Sequence, residues 1–167
     1  VTTDTFALES ADPLGAEATA LLALAADEAR QLYPEFFSAT VPPPRNEPLA
    51  PRSAFLIARA ASGEAVACSA LRALPQPLAQ ASNPDVAELR RMFVRADWRG
   101  RGVGRALLLE LEQQAIAFGY ARLWIETGNR QRAAIALYDS FTDRRIAPWG
   151  PHANDPTSLC FEKIMRR

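Results

Sequence analysis

Lysine is almost missing from this chain. Lys163 is the only one, and arginine supplies the rest of the positive charge. Net charge is missing too, because Lys+Arg and Asp+Glu each total 19. A chain without surplus basic charge lacks the electrostatic footprint of a general nucleic-acid binder, so no nucleic-acid partner is expected. Histidine is represented by His152 alone, and the two cysteines, Cys68 and Cys160, stand far apart in apolar runs ("AVACSAL", "SLCFEK"). Without a CxxC pair or a His/Cys cluster, no dedicated zinc site and no other metal is expected; the cysteines read as reduced, buried thiols. No run of about 18 apolar residues occurs, and no basic-then-apolar leader opens the sequence. A protein without membrane attachment, working in the cytoplasm, is the expectation.

The 167 residues, 49% hydrophobic and 23% charged, suffice for one domain with its own core, and residues 1–167 read as a single domain. "TFALES" reads as a short strand. In "ADPLGAEATALLALAADEARQLYPEFF", Asp12 suits a helix cap and Pro13 a first turn, and Leu21, Leu24 and Leu32 mark the apolar side. Pro34 stops or bends that helix. The proline-dense "TVPPPRNEPLAP" is an irregular loop. "SAFLIARAASGEAVACSALRAL" reads as a hairpin turning at Ser62-Gly63, and "PQPLAQASNP" as another loop.

"VAELRRMFV" is a strand with Glu88, Arg90, Met92 and Val94 on one side and Leu89, Arg91 and Phe93 on the other. After a glycine-rich turn, Val103, Leu107, Leu111, Ala115 and Phe118 recur at helical spacing, and Gly119 is placed to end the helix. "ARLWIET" is a strand, "RQRAAIALYDSF" a helix, and "RRIAPWG" and "TSLCFEKIM" late strands. The order predicts an α/β or α+β fold, a sheet flanked by helices with one parallel strand–helix–strand unit.

The turn itself, "WRGRGVGRA", carries the chemistry. A helix N-terminus leaves several amide N–H groups without intrahelical partners and bears a partial positive charge. Glycines allow a ligand close to the backbone, and Arg99, Arg101 and Arg105 add charge. That combination suits a diphosphate. The segment lacks the Gly-Lys-Ser/Thr ending of a P-loop. It is not GxGxxG either, since Arg105 stands where the third glycine would be.

The run Arg99-Gly100-Arg101-Gly102-Val103-Gly104 fits Arg/Gln-x-x-Gly-x-Gly/Ala. With "ELRRMFV" before it and "LWIET" and "AIALYDSF" after it, the sequence resembles the GNAT superfamily, the Gcn5-related N-acetyltransferases. The resemblance implies a mixed central sheet flanked by helices, with a splayed strand pair holding acetyl-CoA. It implies acetyl transfer from that thioester to a primary amine, here of a small molecule. The pyrophosphate would lie on Arg99, Gly100, Arg101, Gly102, Val103, Gly104 and Arg105. The backbone of Met92, Phe93 and Val94 would meet the pantetheine arm, and one of those amides would polarise the thioester carbonyl.

Tyr138 matches the tyrosine of the family's Ala-x-x-Leu-Tyr segment and would protonate the leaving thiolate. Gln131 stands where family members often have an asparagine near the pantetheine. For the base, Glu88, Glu126 and His152 each qualify, and either glutamate reads equally well as a carboxylate paired to Arg90, Arg91 or Arg122. Trp149 and His152 would border the acceptor. One departure stands out: the family often follows its tyrosine with Tyr-x-x-x-Gly-Phe, and here Thr142 and Asp143 occupy the last two places. The resemblance leaves room for a peptide or lysine acceptor, for a non-catalytic acyl-CoA sensor or interaction module, and for a homodimer.

Overall fold

The computed structural model describes residues 5–37, 42–75 and 85–166. The loop expected at 75–84 lies outside them apart from Pro75, as do Thr40 and Val41 of the proline-dense loop. The elements run β1 (Phe6–Ser10), α1 (Ala16–Leu32), β2 (Ala54–Ala60), β3 (Ala65–Ala73), β4 (Val86–Val94), α2 (Val103–Ala117), β5 (Arg122–Gly128), α3 (Arg132–Phe141), β6 (Arg144–Ile146) and β7 (Ser158–Ile164). The seven strands form a mixed sheet in the order β1-β2-β3-β4-β5-β7-β6. The fold is α+β, as expected. Among the described residues no helix is long and apolar enough to cross a membrane.

The chain divides into two compact units. The first comprises the described residues up to Ala50, Phe55–Ser69 and Arg91–Leu107. The second comprises Pro51–Ala54, the described residues of Ala70–Arg90, and everything from Leu108 on. The divisions fall inside β3, β4 and α2, so each of these elements supplies residues to both.

In the first unit β1 pairs antiparallel with β2, from Phe6↔Ala60 to Ser10↔Leu56. The turn from β2 to β3 uses Gly63 at φ +92°, a left-handed conformation that glycine takes without penalty. The start of α1 differs from expectation. Asp12 does not cap the helix: its Oδ1 accepts from the Leu14 N–H, and its carbonyl accepts from the Gly15 N–H, closing a turn. Gly15 is the N-cap, and a Cβ there would sit 3.1 Å from the Asp12 carbonyl oxygen, so the tight turn excludes a side chain. The buried face of α1 is Ala18, Leu21, Leu22 and Ala26, while Leu24 is 47% exposed. Residue 24 lies about 200° around the helix from Leu22, hence on the opposite side.

In the second unit Leu108, Leu111 and Ala115 of α2 are fully buried, with Leu123, Ile125 and Phe161 of the sheet. Gly119 ends α2 at φ +82°. Its N–H bonds Ile116 O and that of Tyr120 bonds Ala115 O, the paired exit that satisfies the last carbonyls. β5 pairs with β4 in parallel over Val86↔Arg122 to Leu89↔Ile125, and with β7 antiparallel from Arg122↔Ile164 to Gly128↔Ser158. β6 is shorter than "RRIAPWG" suggested, because only residues 144–146 meet β7.

Glu162 of β7 is a carboxylate only 2% exposed. It accepts from Trp124 Nε1 at 2.9 Å and from Arg144 Nε and Nη2 at 2.8 and 2.6 Å, with Arg122 at 3.8 Å. Burial pushes its titration up, but the indole and guanidinium donors outweigh burial and hold it below the ordinary carboxylate value. A carboxyl lowered on folding stabilises the fold above its unfolded value, and that contribution is lost as pH falls through the folded value. Glu162→Gln is therefore expected to cost about 3 kcal/mol at pH 7, with the deficit shrinking below about pH 4. Urea denaturation at both pH values checks this; an equal deficit at both would mean the charge is not what matters.

Candidate active site

The glycine turn lies in the first unit. A short 3₁₀ turn, Ala96–Trp98, leads into Arg99; Gly100 and Gly102 then adopt φ +74° and +81°, and α2 begins at Val103. Nothing lies within 4 Å of where a Cβ would stand on either glycine, so the space beside both is open. The first intrahelical bond is Ala106 N–H to Gly102 O at 2.9 Å. The amides of Val103, Gly104 and Arg105 precede it and have no carbonyl within the helix to bond. Main-chain donors at a helix start, beside open space, fit the chemistry of a diphosphate.

The side chains around the turn divide the work. Val103 is 1% exposed, so its side chain anchors the helix in the core and only its backbone is available to a ligand. Arg99 is tethered: Nε donates to Val94 O at 2.9 Å and Nη2 to Glu28, with the guanidinium 5.9 Å from the Phe93 ring. It braces the turn more than it offers charge. Arg101 lies over the Trp98 indole at 5.0 Å, and Arg105 is exposed.

Met92, Phe93 and Val94 close β4, all half-buried. The parallel ladder with β5 ends at Leu89↔Ile125, and two residues later Arg91 takes φ +59°. A left-handed residue of this kind breaks the two-residue alternation of a strand, so the assignment of faces made from the sequence holds only up to Arg90. The Arg91 carbonyl accepts from the Cys68 thiol at 3.3 Å. Burial pushes that thiol up to about 12, so it stays protonated and structural.

The second unit gathers the titrating groups. Glu126 of β5 accepts from Ser158 Oγ at 2.7 Å through Oε1, and His152 Nδ1 stands 3.8 Å from the same oxygen. Tyr138, in the last turns of α3, is 3% exposed and packs its ring 5.6 Å from Phe161. Burial first, and then the charge of Glu126, push its phenol well above the ordinary value, so it remains protonated. Cys160, across the ladder from Glu126, is pushed up to about 12 by burial and by the same carboxylate. Trp149 stacks obliquely on Trp124 at 5.0 Å and meets the His152 ring edge-on at 5.9 Å.

Glu88 does not join that group. Its Oε2 pairs with Arg72 Nε at 2.9 Å, a partner the sequence reading had not considered. Gln131 sits at the N-cap of α3 without using its side chain as a cap, which leaves the amide group for another purpose. At the far end of α3, Thr142 replaces the expected glycine. It leaves the helix in an extended conformation, and its N–H and Oγ1 both donate to Tyr138 O, at 2.9 and 2.7 Å. Asp143 accepts from Ile164 N–H at 2.7 Å and from Arg166 at 3.0 Å, a polar fastening where an aromatic would pack. Ser158 was missed altogether. Its only signal was its position on β7 facing the end of β5, which needs the antiparallel register to be known.

The sequence pattern of the Acetyltransferase (GNAT) family matches residues 20–142. An Azospirillum brasilense protein named IAA acetyltransferase is 41% identical over 111 residues, covering 65% of this chain and 66% of that protein. The chain thus spans just under two thirds of that relative's length. Among solved structures, one from Klebsiella pneumoniae, described as a candidate acyl-CoA N-acyltransferase, superposes with a TM-score of 0.75 at 28% identity, covering 97% of this chain and 99% of that one. A GNAT family acetyltransferase from Elizabethkingia anophelis with acetyl-CoA bound superposes with a TM-score of 0.62 at 18% identity, covering 96% and 99%.

The open space beside Gly102 yields a direct test. Gly102→Val forces a branched side chain into a left-handed position and into that space. Calorimetry with CoA is expected to show at least about tenfold weaker binding, roughly 1.4 kcal/mol, while circular dichroism stays unchanged. Unaltered affinity would remove the turn from the binding site.

Proposed function

The chain belongs to the acetyltransferase (GNAT) family, and on that premise we propose that residues 1–167 act as one domain that moves the acetyl group of acetyl-CoA to the primary amine of a small molecule. GNAT members use acetyl-CoA as the acetyl donor. The observation that carries the catalytic reading is the pairing of Tyr138 and Glu126. One is an acid kept protonated by burial, and the other a carboxylate whose charge the phenol feels. The relative named IAA acetyltransferase supports a small-molecule acceptor.

The roles divide as follows. The amides of residues 100–105, with Arg101 and Arg105, hold the diphosphate, and Arg99 braces them. The backbone of Met92, Phe93 and Val94 takes the pantetheine arm and polarises the thioester carbonyl. Gln131 adds an amide contact to the arm. Glu126 takes a proton from the acceptor ammonium, whose reference pKa is about 10, and the freed amine attacks the carbonyl carbon. As the C–N bond forms and the C–S bond breaks, Tyr138 gives its proton to the departing thiolate. The remaining surplus amine proton restores the phenol, and the proton on Glu126 leaves for solvent. The net release is one proton for each amide made.

The electrostatics couple the two steps. While Glu126 is charged it opposes loss of the phenol proton. Once it has taken the ammonium proton, that opposition disappears, and Tyr138 becomes a stronger acid when the thiolate needs one. Glu88, tied to Arg72, holds the sheet edge and is the second candidate base.

Free thiol released from acetyl-CoA over a panel of small amines and peptides tests the reaction. Tyr138→Phe is expected to lower turnover on the order of 10²-fold with acetyl-CoA affinity little changed; full turnover in that variant removes the acid role. Acetyl-CoA, but neither ATP nor NAD, is expected to raise the melting temperature. Stabilisation without thiol release from any amine would instead favour an acyl-CoA sensor, and release with peptides alone would make the acceptor a peptide N-terminus.

A further inference from the structure

The proton that Glu126 acquires has to leave before the next turnover, and the structure offers it one neighbour. His152 Nδ1 lies 3.8 Å from Glu126 Oε1, and its side chain is 28% exposed, so the ring bridges the carboxylate and solvent. Ser158 Oγ donates to the same carboxylate oxygen at 2.7 Å and fixes its orientation. The ring is itself held. Its edge meets Trp149 at 5.9 Å, its residue's N–H donates to Trp149 O at 2.9 Å, and its carbonyl accepts from Asp155 N–H at 3.0 Å.

We propose that His152 is the proton exit of this site, taking the proton from Glu126 and passing it to water, with Ser158 as the positioning residue that aims the carboxylate. The inference rests on acetyl transfer with Glu126 as the base, and adds to it the route by which the base is reset. The step balances: the carboxylic acid loses its proton to the imidazole, the imidazolium loses it to water, and both groups return to their starting states.

The charges around the relay favour that direction. Asp155, whose carboxylate accepts from Thr157 N–H and Oγ1 at 2.8 and 2.7 Å, is held below the ordinary range chiefly by those bonds and in part by His152, so it is anionic when the imidazole charges. Facing Glu126 from the neighbouring elements are the Tyr138 phenol of α3 and the Cys160 thiol of β7, both protonated, besides Ser158. None competes with His152 for the proton. A shift from a loose to a close contact on substrate binding is ordinary for catalytic hydrogen bonds.

The test uses the full chain with the best amine from the panel. His152→Ala is expected to lower turnover on the order of 10²-fold, and added imidazole to restore it in proportion to concentration. Loss of mere packing on Trp149 would not respond to imidazole. His152→Phe keeps the edge contact and is expected to stay slow without rescue. Ser158→Ala removes a hydrogen bond to the charged carboxylate, which raises the carboxyl's pKa, so the acid limb of kcat/KM moves to higher pH. Failure of imidazole to rescue His152→Ala, full turnover in His152→Phe, or an acid limb unmoved in Ser158→Ala overturns the relay. Absence of thiol release in the wild-type protein would instead overturn the acetyl-transfer reading beneath it.

Discussion

A parallel ladder only four pairs long governs this structure. β4 and β5 hydrogen-bond from Val86↔Arg122 to Leu89↔Ile125, yet β4 runs on to Val94 and β5 to Gly128. Buried main-chain groups need partners, so a strand that outlives its ladder must find them elsewhere. On its other edge β5 is fully paired with β7, from Arg122↔Ile164 to Gly128↔Ser158. On β4 the chain passes through Arg91 at φ +59°, whose carbonyl takes the Cys68 thiol. The residues that follow, Met92, Phe93 and Val94, are those to which we assign the pantetheine arm, a ligand with amides of its own.

Each compact unit then holds one half of the required chemistry. The first presents the glycine turn, where main-chain donors and open space suit an anion while Val94 and Glu28 occupy the guanidinium of Arg99. Affinity for a diphosphate therefore falls mainly to backbone amides, whose geometry is fixed by two left-handed glycines and by Val103 buried beneath them. The second unit presents the titrating groups on β5, α3, β7 and the turn before β7. There the Glu126 carboxylate is the common member, touching Ser158, approaching His152, and felt by Tyr138 and Cys160.

The departure from the family pattern after Tyr138 has a local physical explanation. A glycine normally allows a helix to exit through a left-handed residue. Thr142 exits in an extended conformation instead and spends both its N–H and its hydroxyl on the Tyr138 carbonyl. Asp143 then bonds the Ile164 amide near the end of β7. The helix end that carries the phenol is thus fastened by hydrogen bonds where the usual pattern relies on aromatic packing.

Much of this was legible in the residues alone. Hydrophobic period located the strands and helices, Gly63 and Gly119 marked a hairpin and a helix end, and the run 99–104 announced an anion site, because each signal is local and reads through steric limits on φ or through helical spacing. Local reading misplaced Asp12 and Leu24, where a turn and the choice of buried face depend on what the helix packs against. It also left Glu88 and Glu126 as equals. Only the tertiary structure separated them, by giving Glu88 the guanidinium of Arg72 and Glu126 the company of Ser158 and His152. Sequence fixes which side chains are available and how each segment bends; strand register and loop return decide which of them meet, because a carboxylate's partners come from residues 16 to 32 positions away, a separation at which local propensity carries no information.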